Sequence, residues 1–333
     1  MSAKIVFFSS QPYDQRFFTR INAERFAGDD LHLSFFDDRL TLDTVALARE
    51  ADAVCVFVND DLSAPVVQAL HEAGVRAVLL RCAGFNNVDL DATKAAGMAV
   101  ARVPAYSPEA VAEHAVTMLL TLNRKTHRAY NRVREGNFAL DGLLGFTLHG
   151  KTAGIIGTGR IGLCTARILR GFGMQVLGSD PYRNPQFEEV GQYVEPAELF
   201  ARSDVISLHS PLTDDTHHLI GKQALEQMKD GVVLVNTSRG GLVDTKQAIK
   251  ALKSHKLGGL AIDVYEQEED LFFQDRSHSF IADDVFARLN TFPNVLVTGH
   301  QAFFTTEAMD QIAEVTLDNF RTLARGGNCA NTV

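Results

Sequence analysis

The run Gly157-Thr158-Gly159-Arg160-Ile161-Gly162 constrains this chain more than any other feature, because of what flanks it. The apolar segment Thr152–Ile156 before it predicts a buried parallel strand. Leu163–Leu169 after it reads as a helix, and Met174–Ser179 as a second strand ending at Asp180. In a G-x-G-x-x-G turn each glycine has a separate task. Gly157 permits the tight turn, Gly159 lets backbone approach a pyrophosphate, and Gly162 lets the helix pack close to the strand. The helix N-terminus offers free N–H groups and a positive dipole end to phosphates. Asp180 can accept hydrogen bonds from a ribose diol and would repel a 2′-phosphate, an effect that nearby Arg183 could soften. Strand, turn, helix, strand and terminal acid together predict a dinucleotide site, for NAD rather than NADP.

The rest of the chain continues the alternation. Strands are predicted at Lys4–Ser9, Leu31–Phe36, Ala53–Val58, Ala77–Leu80 and Ala99–Val103. Helical stretches lie between them, such as Ser63–Glu72, where Pro65 suits a first turn. Pro104 and Pro108 bracket a stiff connection, after which Ser107 caps a long apolar helix predicted to run past Arg132 and stop near Gly136. Its apolar density predicts burial, between domains or between subunits. From Thr152 onward a six-stranded parallel sheet is expected, with further strands at Asp204–Leu208, Val232–Asn236, Gly259–Ile262 and Val295–Thr298. A last helix, Thr305–Arg325, follows the sixth strand and could return to the first domain. The expected organisation is α/β: residues 1–103 with 304–333 as one doubly wound parallel-sheet domain, and 104–303 as the other. The chemistry is expected in a cleft between them.

Composition narrows the function classes. A formal net charge of −9 disfavours nucleic acid and anionic membrane surfaces as partners. No apolar run approaches the ~20 residues of a membrane span, and the N-terminal stretch lacks a signal-peptide pattern. Cys55, Cys82, Cys164 and Cys329 form no C-x-x-C pair, so buried thiols in a cytoplasmic protein are expected. No metal is expected either. No His/Cys/acid spacing matches a metal motif, and the neighbours His217 and His218 should point apart on any regular element.

Open parallel sheets hold ligands outside the carboxyl ends of their strands. The fourth strand of the second sheet is followed by Thr237-Ser238-Arg239-Gly240-Gly241, the fifth by Asp263-Val264-Tyr265-Glu266-Gln267-Glu268, and the sixth by Gly299-His300-Gln301-Ala302-Phe303. An arginine, several acids and a histidine thus converge on one sheet edge, as hydride transfer to a carbonyl would require. Arg239 can grip a substrate carboxylate with its planar fork and polarise a ketone. His300 can supply the alcohol proton. A carboxylate beside His300 would hold the imidazolium and fix its tautomer; spacing alone leaves Glu266 and Glu268 both open, and Glu269 and Asp270 extend the acidic run. In the first domain Arg81–Asn87 reads either as an ordinary turn or as a loop whose Gly84 turns backbone N–H groups toward a substrate carboxylate. A G-x-S-x-G hydrolase pattern is absent.

These motifs resemble the D-isomer-specific 2-hydroxyacid dehydrogenases over essentially the whole chain. The resemblance rests on RCAGFNNVDLD (81–91), VPAYSP (103–108), IGTGRIG (156–162), VNTSRG (235–240), DVYEQE (263–268) and GHQAFFT (299–305). It is similar within that family to the branch that reduces pyruvate to D-lactate with NADH, whose marks include the acidic, aromatic 268–273 stretch and Asp283–Phe286. The resemblance implies a flavodoxin-like substrate domain and a Rossmann NAD-binding domain. It implies that Arg239 binds substrate, that Glu268 rather than Glu266 partners the histidine, and that His300 is the proton donor. Cofactor contacts are implied for Gly157, Gly159, Arg160, Ile161, Gly162, Asp180, Ser210, Pro211, Thr216, Thr237, Ser238, Arg239 and Asp263, with Asp263 at the nicotinamide carboxamide. Substrate contacts are implied for Ala83, Gly84 and Tyr106, and Phe303 would shape the pocket. A homodimer or homotetramer is implied, with a small 2-keto or 2-hydroxy acid as partner. The same resemblance leaves room for another 2-keto acid (glyoxylate, hydroxypyruvate, a longer aliphatic acid) or an NAD(H)-sensing corepressor. Gly299 replaces a proline common in the wider family, which predicts a looser histidine loop.

Overall fold

A computed structural model describes residues 3–268 and 271–333, so Glu269 and Asp270 lie outside the described residues. The chain divides into two compact units, Met1–Ser107 with Phe304–Val333, and Pro108–Phe303. The division falls at the start of the long helix.

The first unit is a five-stranded sheet, β1 (Ala3–Phe7), β2 (Leu31–Phe35), β3 (Ala53–Val56), β4 (Ala77–Leu80) and β5 (Ala99–Arg102). Every pairing is parallel and the order is β2-β1-β3-β4-β5, the flavodoxin-like winding. β3 and β4 are continuous apolar runs, AVCV and AVLL, as strands covered on both faces must be. The C-terminal helix Thr306–Ala324 returns to this unit, packing on the helix Pro12–Arg25 and on β4 and β5. Asn319 Nδ2 donates to the Arg102 carbonyl at 2.9 Å. The unit is therefore discontinuous in sequence.

Arg81, at the end of β4, is only 3% exposed. Its Nε lies 3.5 Å from Oδ1 of the equally buried Asp14, and its Nη2 donates to the Ser9 carbonyl at 2.8 Å. The guanidinium also lies over the Phe57 ring, 5.1 Å from its centroid. The Arg81–Asn87 segment is further pinned by Arg102 Nη1 on the Ala83 carbonyl and by Asn87 Nδ2 on the carbonyls of Phe57 and Asp60.

The second unit holds seven parallel strands: β6 (Thr152–Ile156), β7 (Gln175–Ser179), β8 (Gln192–Tyr193), β9 (Val205–Leu208), β10 (Val232–Asn236), β11 (Leu257–Ile262) and β12 (Val295–Val297). Their order is β12-β11-β10-β9-β6-β7-β8. The expected count of six is thus one short. The added strand, β8, pairs only two residues with β7 and carries no apolar run to mark it. With β8 included, the sheet is the dinucleotide fold wound 3-2-1-4-5-6, extended by β12.

The long helix also departs from expectation. It runs Pro108–Arg124, stops at Lys125, whose φ of 50° is left-handed, and restarts as Thr126–Arg134. Its apolar residues Ala115, Val116, Met118, Leu119 and Leu122 join the core of the second unit, where the helix packs on the helix Arg160–Gly171 and on β11 and β10. Its apolarity is used within the unit.

Arg81→Ala should cost about 3–5 kcal/mol of stability, since it strands the buried Asp14 charge. Thermal unfolding of the Arg81→Ala and Arg81→Ala/Asp14→Ala proteins checks this. The double change should recover part of the loss.

Candidate active site

Local sequence builds the dinucleotide loop. Gly157 adopts φ +90°, and a Cβ there would meet the His209 carbonyl carbon at 2.5 Å. Gly162 packs so closely that a Cβ would lie 1.9 Å from the Gly157 carbonyl oxygen. A Cβ on Gly159 would meet no atom within 4 Å, so the space before the helix Arg160–Gly171 stays open. Gly157 thus makes the tight turn and Gly162 the close helix packing. Asp180, at the end of β7, accepts from the Thr158 amide at 2.7 Å and the Tyr182 amide at 2.8 Å, which fixes its carboxylate beside the loop. The Arg183 guanidinium stacks over Tyr193, 5.3 Å from its centroid, rather than pairing with Asp180.

The β9 and β10 loops meet beside this turn. Ser238 Oγ donates to the Ser210 carbonyl at 2.6 Å, and Thr216 Oγ1 donates to the Pro211 carbonyl at 2.7 Å. Asn236 organises the β10 loop: its Oδ1 accepts from the Ser238 amide and its Nδ2 donates to the Arg239 carbonyl. Arg239 precedes a short 3₁₀ turn, Gly240–Leu242, and its Nη1 reaches the Ser238 carbonyl at 2.7 Å. The buried Thr237 hydroxyl has no hydrogen-bond partner. An orphan hydroxyl, an open glycine turn and a helix N-terminus all fit a bound dinucleotide.

The histidine loop is the most constrained part. His300 Nδ1 lies 2.7 Å from Glu268 Oε1, with the side chains 18% and 19% exposed. Glu268 Oε2 accepts from the Tyr265 amide at 2.8 Å, and Phe273 packs 5.5 Å from the imidazole. Of the two acids that spacing left open, Glu268 meets His300. Glu266 instead contacts His218 at 2.6 Å. The left-handed residue of the loop is His300 itself, at φ 54°, and not Gly299, so the looseness expected from Gly299 falls on no strained position.

Asp263 holds that loop in place. It is 0% exposed, and its carboxylate accepts from Thr298 Oγ1 and from the amides of Gln301 and Ala302, at 2.9 and 2.8 Å. The His114 imidazole lies 3.4 Å away. The His300 amide donates to the Asp263 carbonyl at 2.7 Å. Burial pushes this carboxyl up, yet the bonds from His114, Thr298 and the two amides prevail and hold it below the usual carboxylate range.

His114 and Thr298 are residues the sequence reading missed. His114 lies on a helix read for its apolar residues alone, and a polar residue within that run was the available signal. Ala83, Gly84 and Tyr106 belong to the first unit, and Phe303, 8% exposed, ends the second. His217 and His218 do not point apart. Their rings stack at 3.9 Å, because His218 has a left-handed backbone (φ 53°) that no regular element supplies.

Fold and site together define a dinucleotide-dependent dehydrogenase with an acid–histidine pair. Comparison with known proteins specifies it further. Residues 116–302 match the model of the D-isomer specific 2-hydroxyacid dehydrogenase, NAD binding domain. The chain is 54% identical to the D-lactate dehydrogenase of Escherichia coli (strain K12), over 98% of this chain and 99% of that one. Among solved structures, the apo-structure of D-lactate dehydrogenase from Escherichia coli matches with a TM-score of 0.91 at 50% identity, covering 99% of each chain. A structure described as the pyruvate reductase of Chlamydomonas reinhardtii matches at 0.93 and 41% identity, covering 99% of this chain and 98% of that one. The chain belongs to the D-isomer-specific 2-hydroxyacid dehydrogenase family, and its cofactor is NAD.

Two glycine variants should separate folding from binding. Gly162→Ala should unfold at clearly lower temperature, at or above the upper end of the ~1–3 kcal/mol typical of overpacking. Gly159→Ala should keep its melting temperature and bind NADH more weakly. Thermal unfolding and fluorescence titration read the two effects.

Proposed function

We propose that this protein reduces pyruvate to D-lactate with NADH. The observation that carries the reading is the 2.7 Å His300–Glu268 pair. It stands at the same sheet edge as Arg239 and the glycine turn, in a chain whose full-length relatives bear that activity in their names.

Bound NADH supplies the hydride for the ketone carbon. Arg239 binds the substrate carboxylate and polarises the ketone oxygen through its fork of donors. His300, held through Nδ1 by Glu268, gives a proton from Nε2 to that oxygen as it becomes a hydroxyl. The Glu268 carboxylate, 2.7 Å from Nδ1, fixes the orientation of the ring and leaves Nε2 to the substrate. Asp263 carries no step itself. It fixes the backbone from which His300 projects, and the nicotinamide carboxamide is assigned to it on the family resemblance.

Around the cofactor, Gly157, Gly159, Arg160, Ile161 and Gly162 serve the pyrophosphate and Asp180 the adenosine ribose. Ser210, Pro211, Thr216, Thr237 and Ser238 line the neighbouring loops. Ala83, Gly84, Tyr106 and Phe303 enter as substrate contacts on the family resemblance. No helix among the described residues is long and apolar enough to cross a membrane, and we place the enzyme in the cytoplasm. We assign it a homodimer or dimer of dimers. Tyr130, Val133, Phe138, Leu140 and Leu144 are exposed apolar side chains within one short segment, the kind of patch a second subunit covers.

An NADH-oxidation screen over 2-keto acids, with chiral analysis of the product, tests the reading. Pyruvate should give the highest kcat/KM and D-lactate the sole product; L-lactate, or no turnover, overturns it. Arg239→Lys should lose at least about a hundredfold in kcat/KM, because lysine keeps the charge and loses the bidentate fork. Near-wild-type kinetics would reduce Arg239 to a structural role.

Glu268→Gln tests the proton path. Reduction draws its proton from His300, so loss of the orienting carboxylate should lower kcat for pyruvate at least about tenfold while NADH binding stays intact. An unchanged kcat would remove Glu268 from the mechanism.

A further inference from the structure

His217, His218 and Glu266 form a cluster that the reaction does not use. One ligand atom from each, an imidazole nitrogen or a carboxylate oxygen, can be chosen so that all lie within 4.8 Å of one another. The two imidazoles are stacked, 3.9 Å between centroids and 24° apart, which aligns neighbouring rings that a regular backbone would separate. His218 is held in its left-handed conformation by its amide bond to the Gly241 carbonyl at 2.8 Å. Glu266 comes from a different loop, after β11, and its Oε1 reaches His218 Nε2 at 2.6 Å.

We infer that His217, His218 and Glu266 form a binding site for a divalent late first-row transition ion, zinc foremost. Two imidazoles and a carboxylate are a donor set for such ions, whereas magnesium and calcium take oxygen ligands. Zinc bonds nitrogen and carboxylate oxygen at about 2.0–2.2 Å, which puts tetrahedral ligands roughly 3.3 Å apart. Stacked rings direct their nitrogens nearly parallel, so the exposed His217 ring must turn about its side-chain bonds to share the ion with His218 and Glu266. Three protein ligands leave a fourth position for water, and the exposure of His217 and Glu266 gives the ion entry. Ligation through His218 Nε2 would replace its present 2.6 Å contact with Glu266 Oε1.

The ion would act as a clip. Gly240 lies between the two ligand segments and is packed so tightly that a Cβ there would meet the Tyr265 carbonyl carbon at 2.1 Å. His217 Cδ2 lies 3.7 Å from the Cβ position of Gly241. Joining 217–218 to Glu266 therefore closes a loop around the turn that follows Arg239. It stabilises that turn without entering the hydride or proton path.

Calorimetric titration of the chelator-treated protein with zinc chloride tests the site, with cobalt(II) absorbance as a second reading of nitrogen ligation. One saturable site per chain is expected, with a melting temperature that rises on loading. His217→Asn, exposed and outside the reaction, should lower zinc affinity at least tenfold, abolish the thermal shift and keep wild-type pyruvate reduction. Glu266→Gln should weaken uptake similarly. Absence of saturable uptake by the wild type, or equal uptake and thermal shift in His217→Asn, overturns the proposal; the second result would place zinc on other exposed histidines.

Discussion

The buried carboxylate of Asp263 is the contact on which the histidine loop depends. It closes the end of β11 and gathers, in one solvent-free position, the Thr298 hydroxyl, two consecutive loop amides and the flank of His114. A buried carboxylate is costly unless its lone pairs are met, and here several donors meet them. The geometry that satisfies the charge also bends the chain at His300, whose left-handed backbone turns the imidazole onto Glu268. The strain of one non-glycine residue at positive φ is thus offset by a hydrogen-bonded hub directly beneath it.

Two acids divide the work that a single carboxylate could not perform. Asp263 is sealed and fixes backbone, while Glu268 is partly exposed and faces the imidazole. Glu268 is itself fixed, since its second oxygen accepts from the Tyr265 amide on the same loop. The Tyr265 hydroxyl donates to Asp283 at 2.7 Å, and Asp283 also caps the helix Asp284–Asn290 through the amides of Val285 and Phe286. The acid–histidine pair therefore rests on a chain of bonds running back to a helix N-terminus.

The other loops of the same sheet edge follow a similar economy. Asn236 is nearly sealed and spends its amide on both sides of Ser238, so the Thr237–Arg239 backbone has little freedom. In the first unit, Arg81 does for its strand end what Asp263 does for β11. A sealed charge with a sealed counter-charge, Asp14, sets the direction of the following loop. Arg81 opens a segment that the sequence left as either an ordinary turn or a substrate-facing loop, and the fold uses it as an anchor.

The sequence by itself determined the elements whose signals are local. The apolar runs of β3, β4, β6 and β10, the glycine turn with Asp180, and the sheet edge carrying Arg239 and His300 depend on residues near one another in the chain. Periodicity and turn chemistry report such features directly. The two-residue β8 and the break at Lys125 escaped because pairing with β7 makes the first, and a single left-handed residue makes the second. Spacing alone could not separate Glu268 from Glu266; the family resemblance favoured Glu268, and the tertiary structure gives the physical reason. Two residues apart on one loop, they are equivalent in composition, and the backbone path alone sends one to His300 and the other to His218. It likewise brought His114 to Asp263 and stacked His217 on His218, because contacts across sequence distance and departures from regular backbone leave no periodic trace.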